Sequence, residues 1–121
     1  MSRKTTGAAG EKLAAQFLAG RGYSIVETNY RCREGEIDII AKQGDCLVFV
    51  EVRTKRSTVY GSPEESITEK KKEHLRAVAA RYRDTHDGLP QSWRIDVMAV
   101  EMDAGGRVRR MDLIENAVED E

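Results

Sequence analysis

Two acidic residues, Asp38 and Glu51, stand within the two most apolar stretches of the chain. Side-chain alternation predicts a β-strand in each stretch, Glu36 to Lys42 and Cys46 to Arg53, and the Gly44-Asp45 turn between them favours an antiparallel hairpin. A two-residue turn there places Asp38 opposite Glu51. Poorly solvated carboxylates in contact tend to hold a proton or to bind a cation such as Mg²⁺, which takes one or two carboxylates and completes its shell with water and substrate phosphate. We therefore predict a divalent metal site at this pair.

The same hairpin register permits a simpler interpretation. It places Glu36 opposite Arg53, so these two residues could form a cross-strand salt bridge while Asp38 and Glu51 reach solvent at an edge. A slip of one residue would also put the two carboxylates on opposite faces of the sheet. The spacing leaves these alternatives open. In either case one face of the hairpin is predicted to be wholly apolar, with Ile37, Ile39, Ala41, Cys46, Val48, Val50 and Val52.

The rest of the chain predicts two helices and three further strands that position the hairpin. Apolar residues at three-to-four spacing, followed by glycines, favour a first helix over Thr6 to Gly20. Period-two alternation favours strands over Tyr23 to Tyr30, Trp93 to Val100 and Arg107 to Ile114. With a second helix after the hairpin, the order is α-β-β-β-α-β-β. We expect a single α/β domain over residues 1–121, with a central mixed β-sheet flanked by helices.

Two capping boxes compete for the start of the second helix. Ser62 with Glu65 and Ser66 with Glu69 both match the S-x-x-E pattern, so the sequence leaves the first residue of this helix open. One face of the helix follows at helical spacing and consists of Ile67, Lys71, Leu75, Val78 and Tyr82. The helix is expected to end within residues 84–88.

The charges of the chain are unevenly distributed. The net charge is −1, from 20 basic and 21 acidic residues. Residues 53–83 nevertheless contain nine basic and four acidic residues, whereas residues 112–121 contain five acidic residues and no basic one. A basic stretch of this kind is typical of a face that binds a polyanion and equally of an ordinary solvated helix face. We interpret residues 112–121 as an acidic C-terminal tail.

Length and composition favour one soluble globular domain. Of the 121 residues, 40% are hydrophobic and 34% charged, which is typical of a folded rather than a disordered chain. No apolar stretch approaches the roughly 18 residues of a membrane span, and no hydrophobic segment follows the basic residues near the start as it does in a secretion signal. We expect a cytoplasmic protein that does not use a membrane.

Short motifs follow one another in order over roughly residues 7–100. They are Gly10-Glu11, Gly22-Tyr23, Asn29-Tyr30-Arg31, Gly35 to Ile40, Phe49 to Thr54, and Gly61 before a lysine-rich helix. Together they resemble the bacterial YraN family. That family is similar to the restriction-endonuclease-like superfamily, whose D…(D/E)-x-K pattern supports metal-dependent cleavage of phosphodiester bonds, and to the archaeal Holliday-junction resolvases. The resemblance implies a restriction-endonuclease-like fold.

The resemblance also implies roles for four acidic residues. Asp38 and Glu51 correspond to the ligands of Mg²⁺ or Mn²⁺. Glu11, on the first helix, has a supporting role near the metal, and Glu36 belongs to the same motif as Asp38. These four residues are the acidic part of the implied catalytic site.

Position 53 departs from the pattern of the superfamily. The family usually has lysine there, whereas this chain has Arg53. An arginine stays charged at any relevant pH, so it does not accept a proton, but it can hold a phosphate with two hydrogen bonds. Lys55 points to the same side of the strand, about 6.6 Å further on, and could replace the lysine only if the strand bends.

The implied partner is nucleic acid, DNA in the first instance, and a homodimer is compatible with the resemblance. Binding of the phosphate backbone is assigned to five basic residues, Lys55, Lys70, Lys71, Lys72 and Arg76. The expected function is a Mg²⁺-dependent DNA endonuclease similar to Holliday-junction resolvases. Two alternatives remain: a nucleic-acid-binding protein on the same fold without turnover, and a protein-interaction domain.

Overall fold

The structure is a computed structural model and describes residues 3–57, 59 and 61–119, with side chains from Thr6 onward. In this part of the chain, two α-helices and five β-strands follow in the predicted order, with one short 3-10 helix added. Their bounds are α1 Arg3–Gly20, β1 Ser24–Cys32, β2 Gly35–Gln43, β3 Cys46–Lys55, the 3-10 helix Glu64–Ser66, α2 Glu69–Thr85, β4 Ser92–Met102 and β5 Val108–Ile114.

The five strands form one mixed sheet in the order β1-β2-β3-β4-β5. Strands β3 and β4 are parallel, from the pair Cys46↔Ser92 to the pair Lys55↔Glu101, and the other neighbours are antiparallel. Parallel neighbours need a crossover connection, and α2 is that connection. The predicted α/β architecture, a mixed sheet flanked by helices, is therefore confirmed.

The sheet carries one helix on each face. Because successive residues of a strand point to opposite sides, β3 contributes to two separate apolar clusters. The cluster under α1 contains Ala14, Leu18, Ile39, Ala41, Val48, Val50, Met98 and Val100. The cluster under α2 contains Ile37, Ile40, Leu47, Phe49, Leu75, Val78, Tyr82 and Ile95. None of the described helices is long and apolar enough to cross a membrane.

The predicted apolar face of β2 is wrong at one residue. Ile37 packs in the cluster under α2, whereas Ile39 packs under α1. The alternation breaks at Asp38, the residue between them. In the neighbouring strand β1, Asn29 lies at the level of Asp38 and has a φ of 54°, in the left-handed region that Asn tolerates better than most residues. The sheet is thus locally irregular where Asp38 enters it.

The start of α2 differs from both predicted capping boxes. Ser62 and Glu65 do form a reciprocal box, with Ser62 N donating to Glu65 Oε1 at 3.1 Å, but it lies at the short 3-10 helix, whose N-cap is Pro63, and not at the start of α2. The N-cap of α2 is Thr68, whose side-chain oxygen accepts a hydrogen bond of 3.1 Å from the backbone N–H of Lys71. The helix therefore begins at Glu69, and Lys71 lies in its first turn.

The C-terminal residues are part of the folded domain as far as Glu119. The tail predicted from residue 112 instead begins inside β5, which extends to Ile114. Val118 is 2% exposed and packs in the cluster under α2, and its backbone N–H donates to the carbonyl of Ile95 at 3.3 Å. An apolar side chain at position 118 thus holds the acidic segment against the sheet. Asp120 and Glu121 lie outside the described residues.

Candidate functional site

Strands β2 and β3 pair only over the part of the hairpin nearest the turn. The observed register matches the predicted one and ends at the pair Ile39↔Val50. Beyond that pair, β2 stays with β1 and β3 stays with β4, so the two strands separate. Asp38 and Glu51 are the first residues past this point, which we call the fork. The topology of the sheet thus brings the two predicted carboxylates together at an opening between strands.

The side chain of Asp38 lies within the fork. Its Oδ2 accepts a hydrogen bond of 2.7 Å from the backbone N–H of Val52, a group that the strand pairing no longer uses. Asp38 is only 7% exposed. Hydrogen bonds to a carboxylate are stronger than those between neutral groups, so this bond fixes the orientation of the side chain. Asp38 is therefore held in place by the backbone of β3.

Glu51 lies beside Asp38 and is 4% exposed. The two carboxyl groups are within hydrogen-bonding reach of each other. Two cations approach the same oxygen of Glu51: Nη2 of Arg53 lies 3.2 Å from Oε2, and Nζ of Lys71 lies 3.5 Å from it. Arg53 comes from the same strand, whereas Lys71 comes from the first turn of α2. Two acids and two bases thus meet at the fork.

Burial and like charge change the protonation of Glu51. Its pKa is raised to about 8, first because burial disfavours the charged form and then because of the charge of Asp38 and the hydrogen bond between the two groups. The charges of Lys71 and Arg53 act in the opposite direction. At neutral pH the pair therefore holds a proton, which a bound divalent cation would have to displace.

Glu11 reaches the fork because α1 approaches β3 very closely. A Cβ atom built on Gly10 would lie 1.9 Å from Oγ1 of Thr54, a distance that no side chain can occupy. Only glycine permits this contact, and Glu11 is the next residue of the helix. The resemblance placed Glu11 near the metal, and the structure places it beside Asp38, close enough for the charge of Asp38 to raise the pKa of Glu11.

The environment of Glu11 resembles that of Glu51 but is more open. Its pKa is raised to about 7, first by burial and then by the charge of Asp38 and the hydrogen bond to it. A cleft of about 190 Å³ between α1 and the sheet is lined by Glu11, Lys12, Thr28, Asn29 and Asp38, among others. Asp38 thus lies between two carboxyl groups, one on each side, and the cleft opens this row to solvent.

The alternative interpretation of the hairpin is wrong. Glu36 does not pair with Arg53. Its carboxylate instead accepts from Nε of Arg31 at 2.8 Å, on the neighbouring strand β1. Asp38 and Glu51 are buried rather than exposed at an edge. Glu36 lies at the margin of the site, where its charge contributes to raising the pKa of Glu11.

Lys55 does not replace the missing lysine of the pattern. Strand β3 pairs with β4 without interruption as far as Lys55, so the strand does not bend there. Lys55 therefore remains about 6.6 Å beyond Arg53 along the strand. The nearest lysine to Glu51 in the described ion pairs is Lys71, which the sequence assigned only to binding of the phosphate backbone.

The other predicted nucleic-acid-binding residues of α2 point in different directions, because consecutive helical residues are rotated by about 100°. Lys70 is exposed. Nζ of Lys72 lies 3.3 Å from Oε1 of Glu69, and Nε of Arg76 donates to the carbonyl of Glu119 at 2.7 Å. The structure thus separates Lys71, which faces the fork, from the three others, none of which contacts Glu51 in the described ion pairs.

The fork fits a small oxygen-binding cation with a phosphate beside it. Asp38 and Glu51 supply hard oxygen ligands, and Mg²⁺ commonly uses one or two protein carboxylates. Within residues 6–57, 59 and 61–119, no three His, Cys, Asp or Glu side chains are placed to hold an ion by themselves, so water and substrate would have to complete the shell. Nε of Arg53 is buried and has no hydrogen-bond acceptor among the described residues.

Sequence reasoning identified the carboxylates but not the position of Lys71. The signal was present: Lys71, Leu75, Val78 and Tyr82 follow at the spacing of one helix face, and three of the four are buried. A lysine on an apolar helix face must direct its ammonium group to a polar region at the end of that face. Which carboxylate it meets depends on the packing of α2 against the sheet, which the sequence does not show.

Comparison with known proteins covers the segment that contains the fork. Residues 10–100 match the sequence profile of the Uncharacterised protein family UPF0102. A UPF0102 protein of Dehalococcoides mccartyi is 50% identical over 120 residues, which span 99% of this chain and 98% of that protein. A UPF0102 protein of Moorella thermoacetica is 45% identical over 117 residues, with 97% and 98% covered. Among solved structures, Pyrococcus furiosus SfsA in complex with Ca²⁺ is similar over 97% of this chain and 65% of that chain, with 17% identity and a TM-score of 0.46.

Proposed function

The chain belongs to the UPF0102 family, to which its YraN-like motifs correspond, and on that premise we propose that it is a metal-dependent DNA endonuclease of the restriction-endonuclease-like superfamily, similar to Holliday-junction resolvases. One observation carries the proposal. Two buried carboxyl groups, Asp38 and Glu51, meet at an opening in the sheet with two cations beside them. Buried like charges in contact are costly, and a divalent cation relieves that cost.

In the proposed reaction the fork supplies both a metal site and a phosphate site. Mg²⁺ or Mn²⁺ held by Asp38 and Glu51 would polarise the scissile phosphate and lower the pKa of a water molecule. The backbone N–H of Val52 holds Asp38 in a single orientation. Groups held in this way do not have to reorient during the reaction. In many enzymes, electrostatic stabilisation of the transition state by such preorganised groups is the largest single contribution to the rate enhancement.

Arg53 contributes the fixed positive charge. Its side chain is 30% exposed and its guanidinium has several N–H groups, so those that face solvent can donate to a phosphate oxygen while Nη2 stays near Glu51. Charge that develops on the phosphate oxygens in the transition state would be stabilised by this group. Glu11, whose raised pKa keeps it partly protonated near pH 7, can hold or release a proton next to Asp38.

A cleavage assay tests this proposal. Labelled linear, nicked and four-way-junction DNA, with the matching RNA duplex as a further arm, would be incubated with Mg²⁺ or Mn²⁺ and the protein. We expect metal-dependent cleavage that falls by a factor of at least about 100 in both Asp38→Asn and Glu51→Gln. Asp103→Asn, in the turn before β5, is the matched control and should cleave like the wild type. Cleavage that survives both substitutions at the fork would overturn the assignment.

A second candidate function is favoured by the ion pairs of Glu51. Arg53 and Lys71 already balance its charge, so the same site could bind a phosphate backbone without a metal or turnover. In that case the protein binds DNA in a salt-sensitive manner, without cleavage, and replacing Lys70 to Lys72 weakens binding. Absence of both cleavage and binding would favour the protein-interaction domain.

A further inference from the structure

Lys71 differs from the other lysines of α2 in where its ammonium group lies. The cap at Thr68 sets the first residue of the helix, because its Oγ1 accepts from the backbone N–H of Lys71. The buried residues Leu75 and Val78 set the rotation of the helix. Lys71 lies one turn before Leu75 on this face, so its side chain extends along the buried surface towards the sheet.

The result is an ammonium group at the fork that does not belong to the strand motif. Nζ of Lys71 lies 3.5 Å from Oε2 of Glu51, and the side chain is 31% exposed. Arg53 approaches the same oxygen from β3. The site therefore has both a planar guanidinium and a compact ammonium group, which differ in hydration and in geometry of hydrogen bonding.

We propose that Lys71 is the phosphate-contacting lysine of this site and that its ligand is an oxygen of the phosphodiester next to Glu51. This inference rests on the proposed function. It assigns to the crossover helix the lysine that the motif would carry at position 53, where this chain has Arg53. The ammonium group acts as a hydrogen-bond donor, so the role requires only its position beside Glu51.

The assignment explains why the site can have arginine at position 53. Arg53 and Lys71 reach one oxygen from two elements, so a lysine at either position would place an ammonium group in the same region. A lysine introduced at position 53 should consequently compensate for the loss of Lys71. A lysine needed only for the stability of α2 would not be replaced in this way.

The first test is a rescue experiment in the cleavage assay with Mg²⁺. We expect Lys71→Met to lower kcat about 100-fold while KM changes less than about threefold, as for the loss of one electrostatic group in a transition state. Adding Arg53→Lys to Lys71→Met should restore kcat at least about tenfold. Lys42→Met, at the far end of β2 from the fork, is the matched control and should behave like the wild type. If the double variant has the same low kcat as Lys71→Met alone, Arg53→Lys does not rescue the loss and the inference is overturned.

The second test measures binding and does not need cleavage. The affinity for a fluorescently labelled four-way DNA junction, with Ca²⁺ in place of Mg²⁺, would be measured between about 50 and 200 mM KCl. Removal of one phosphate contact should reduce the slope of log K against log salt by about one in Lys71→Met, and Lys42→Met should leave it unchanged. Thermal unfolding of each variant confirms that it is folded.

The outcomes separate this inference from the proposed function. If the wild type cleaves but Lys71→Met keeps both its kcat and its salt slope, the inference fails and the proposed function stands. If the wild type binds without cleavage and Lys71→Met alone loses a unit of slope, the proposed function fails and Lys71 still contacts phosphate. A wild type that neither binds nor cleaves contradicts both.

Discussion

At the level of single residues, the main feature of the fork is that two carboxyl groups, Asp38 and Glu51, are buried side by side. Burial and the neighbouring carboxylate raise the pKa of Glu51 to about 8, against an ordinary value of about 4.5. The folded protein therefore binds a proton at this residue over a range in which the unfolded chain does not. The pair has a cost in stability, because above the pKa the folded state must hold two buried carboxylates side by side, which Lys71 and Arg53 offset only in part.

This difference predicts a pH dependence of stability. Between about pH 5 and pH 8 the folded state binds more protons than the unfolded state, so the contribution of Glu51 to the free energy of unfolding is present at low pH and is lost as the pH rises through 8. In Glu51→Gln this contribution is absent, so the variant should lose less stability over this range and exceed the wild type at pH 8 by an amount on the order of 1 kcal/mol or more. Urea unfolding at pH 5, 6.5 and 8, without divalent cations, measures the effect. Parallel profiles for the two proteins would contradict the account.

At the level of elements, two close contacts complete the fork from opposite faces of the sheet. Helix α1 crosses β3 at Gly10 and Thr54, which brings Glu11 to Asp38. Helix α2 begins at its Thr68 cap, which brings Lys71 to Glu51. Each helix thus contributes one side chain to the fork because of where it starts or where it crosses the sheet.

The crossing of α1 predicts opposite effects for two glycines of the same helix. Gly10→Ala would force its new methyl group against Thr54, so the helix must shift, with a loss of about 1–3 kcal/mol in the free energy of unfolding and a loss of cleavage as Glu11 moves. Gly7→Ala meets nothing within 4 Å and should stabilise the protein by about 0.5–1 kcal/mol. Chemical unfolding and the cleavage assay check both. Similar behaviour of the two variants would show that the close crossing does not position Glu11.

The cap of α2 supports a further prediction. Thr68→Ala removes the oxygen that accepts from Lys71 and should cost about 1 kcal/mol of stability. Thr68→Ser keeps that oxygen and should retain most of the stability. Because the cap sets the start of the helix, Thr68→Ala should also reduce cleavage more than Thr68→Ser does. Urea unfolding and cleavage rates for the two variants measure this, and equal values would remove the cap from the account.

The sequence predicted the helices and strands better than it predicted the contacts between them. Alternating and helical periodicity follow from backbone geometry, and the Gly44-Asp45 turn set the register of the hairpin, so the predicted register is confirmed from the turn to the pair Ile39↔Val50. The separation of the strands after Ile39 and the position of Lys71 depend on contacts between distant segments. The pairing of Glu36 with Arg53 was for this reason a reasonable interpretation that the structure contradicts.

At the level of the whole molecule, the acidic C-terminal segment packs against α2 and the sheet. Val118 lies in the same apolar cluster as Leu75 of α2, and Arg76 donates to the backbone of Glu119. The low net charge therefore arises from a basic helix and an acidic segment that pack together, rather than from a uniform mixture. The basic helix keeps Lys70 on its exposed side.

The buried tail residue predicts that this segment is required for stability. Val118→Ala should lower the free energy of unfolding by about 1–3 kcal/mol, because the side chain is 2% exposed. Val59→Ala, at a valine that is 78% exposed, is the matched control and should change it by less than about 0.5 kcal/mol. Thermal or urea unfolding gives both values. If Val118→Ala leaves the free energy of unfolding unchanged, the segment does not contribute to the stability of the domain.

The central claim, that Asp38 and Glu51 bind a divalent cation, is tested most directly by isothermal titration of the protein with Mn²⁺ or Mg²⁺ at pH 7 in two buffers of different ionisation enthalpy. Because Glu51 has a pKa of about 8 and Glu11 one of about 7, binding should release about one proton, which appears as a difference between the two heats. Asp38→Asn and Glu51→Gln should each weaken binding by at least about tenfold, and Asp103→Asn should not. Absence of binding, or equal binding by the wild type and both fork variants, would contradict the account.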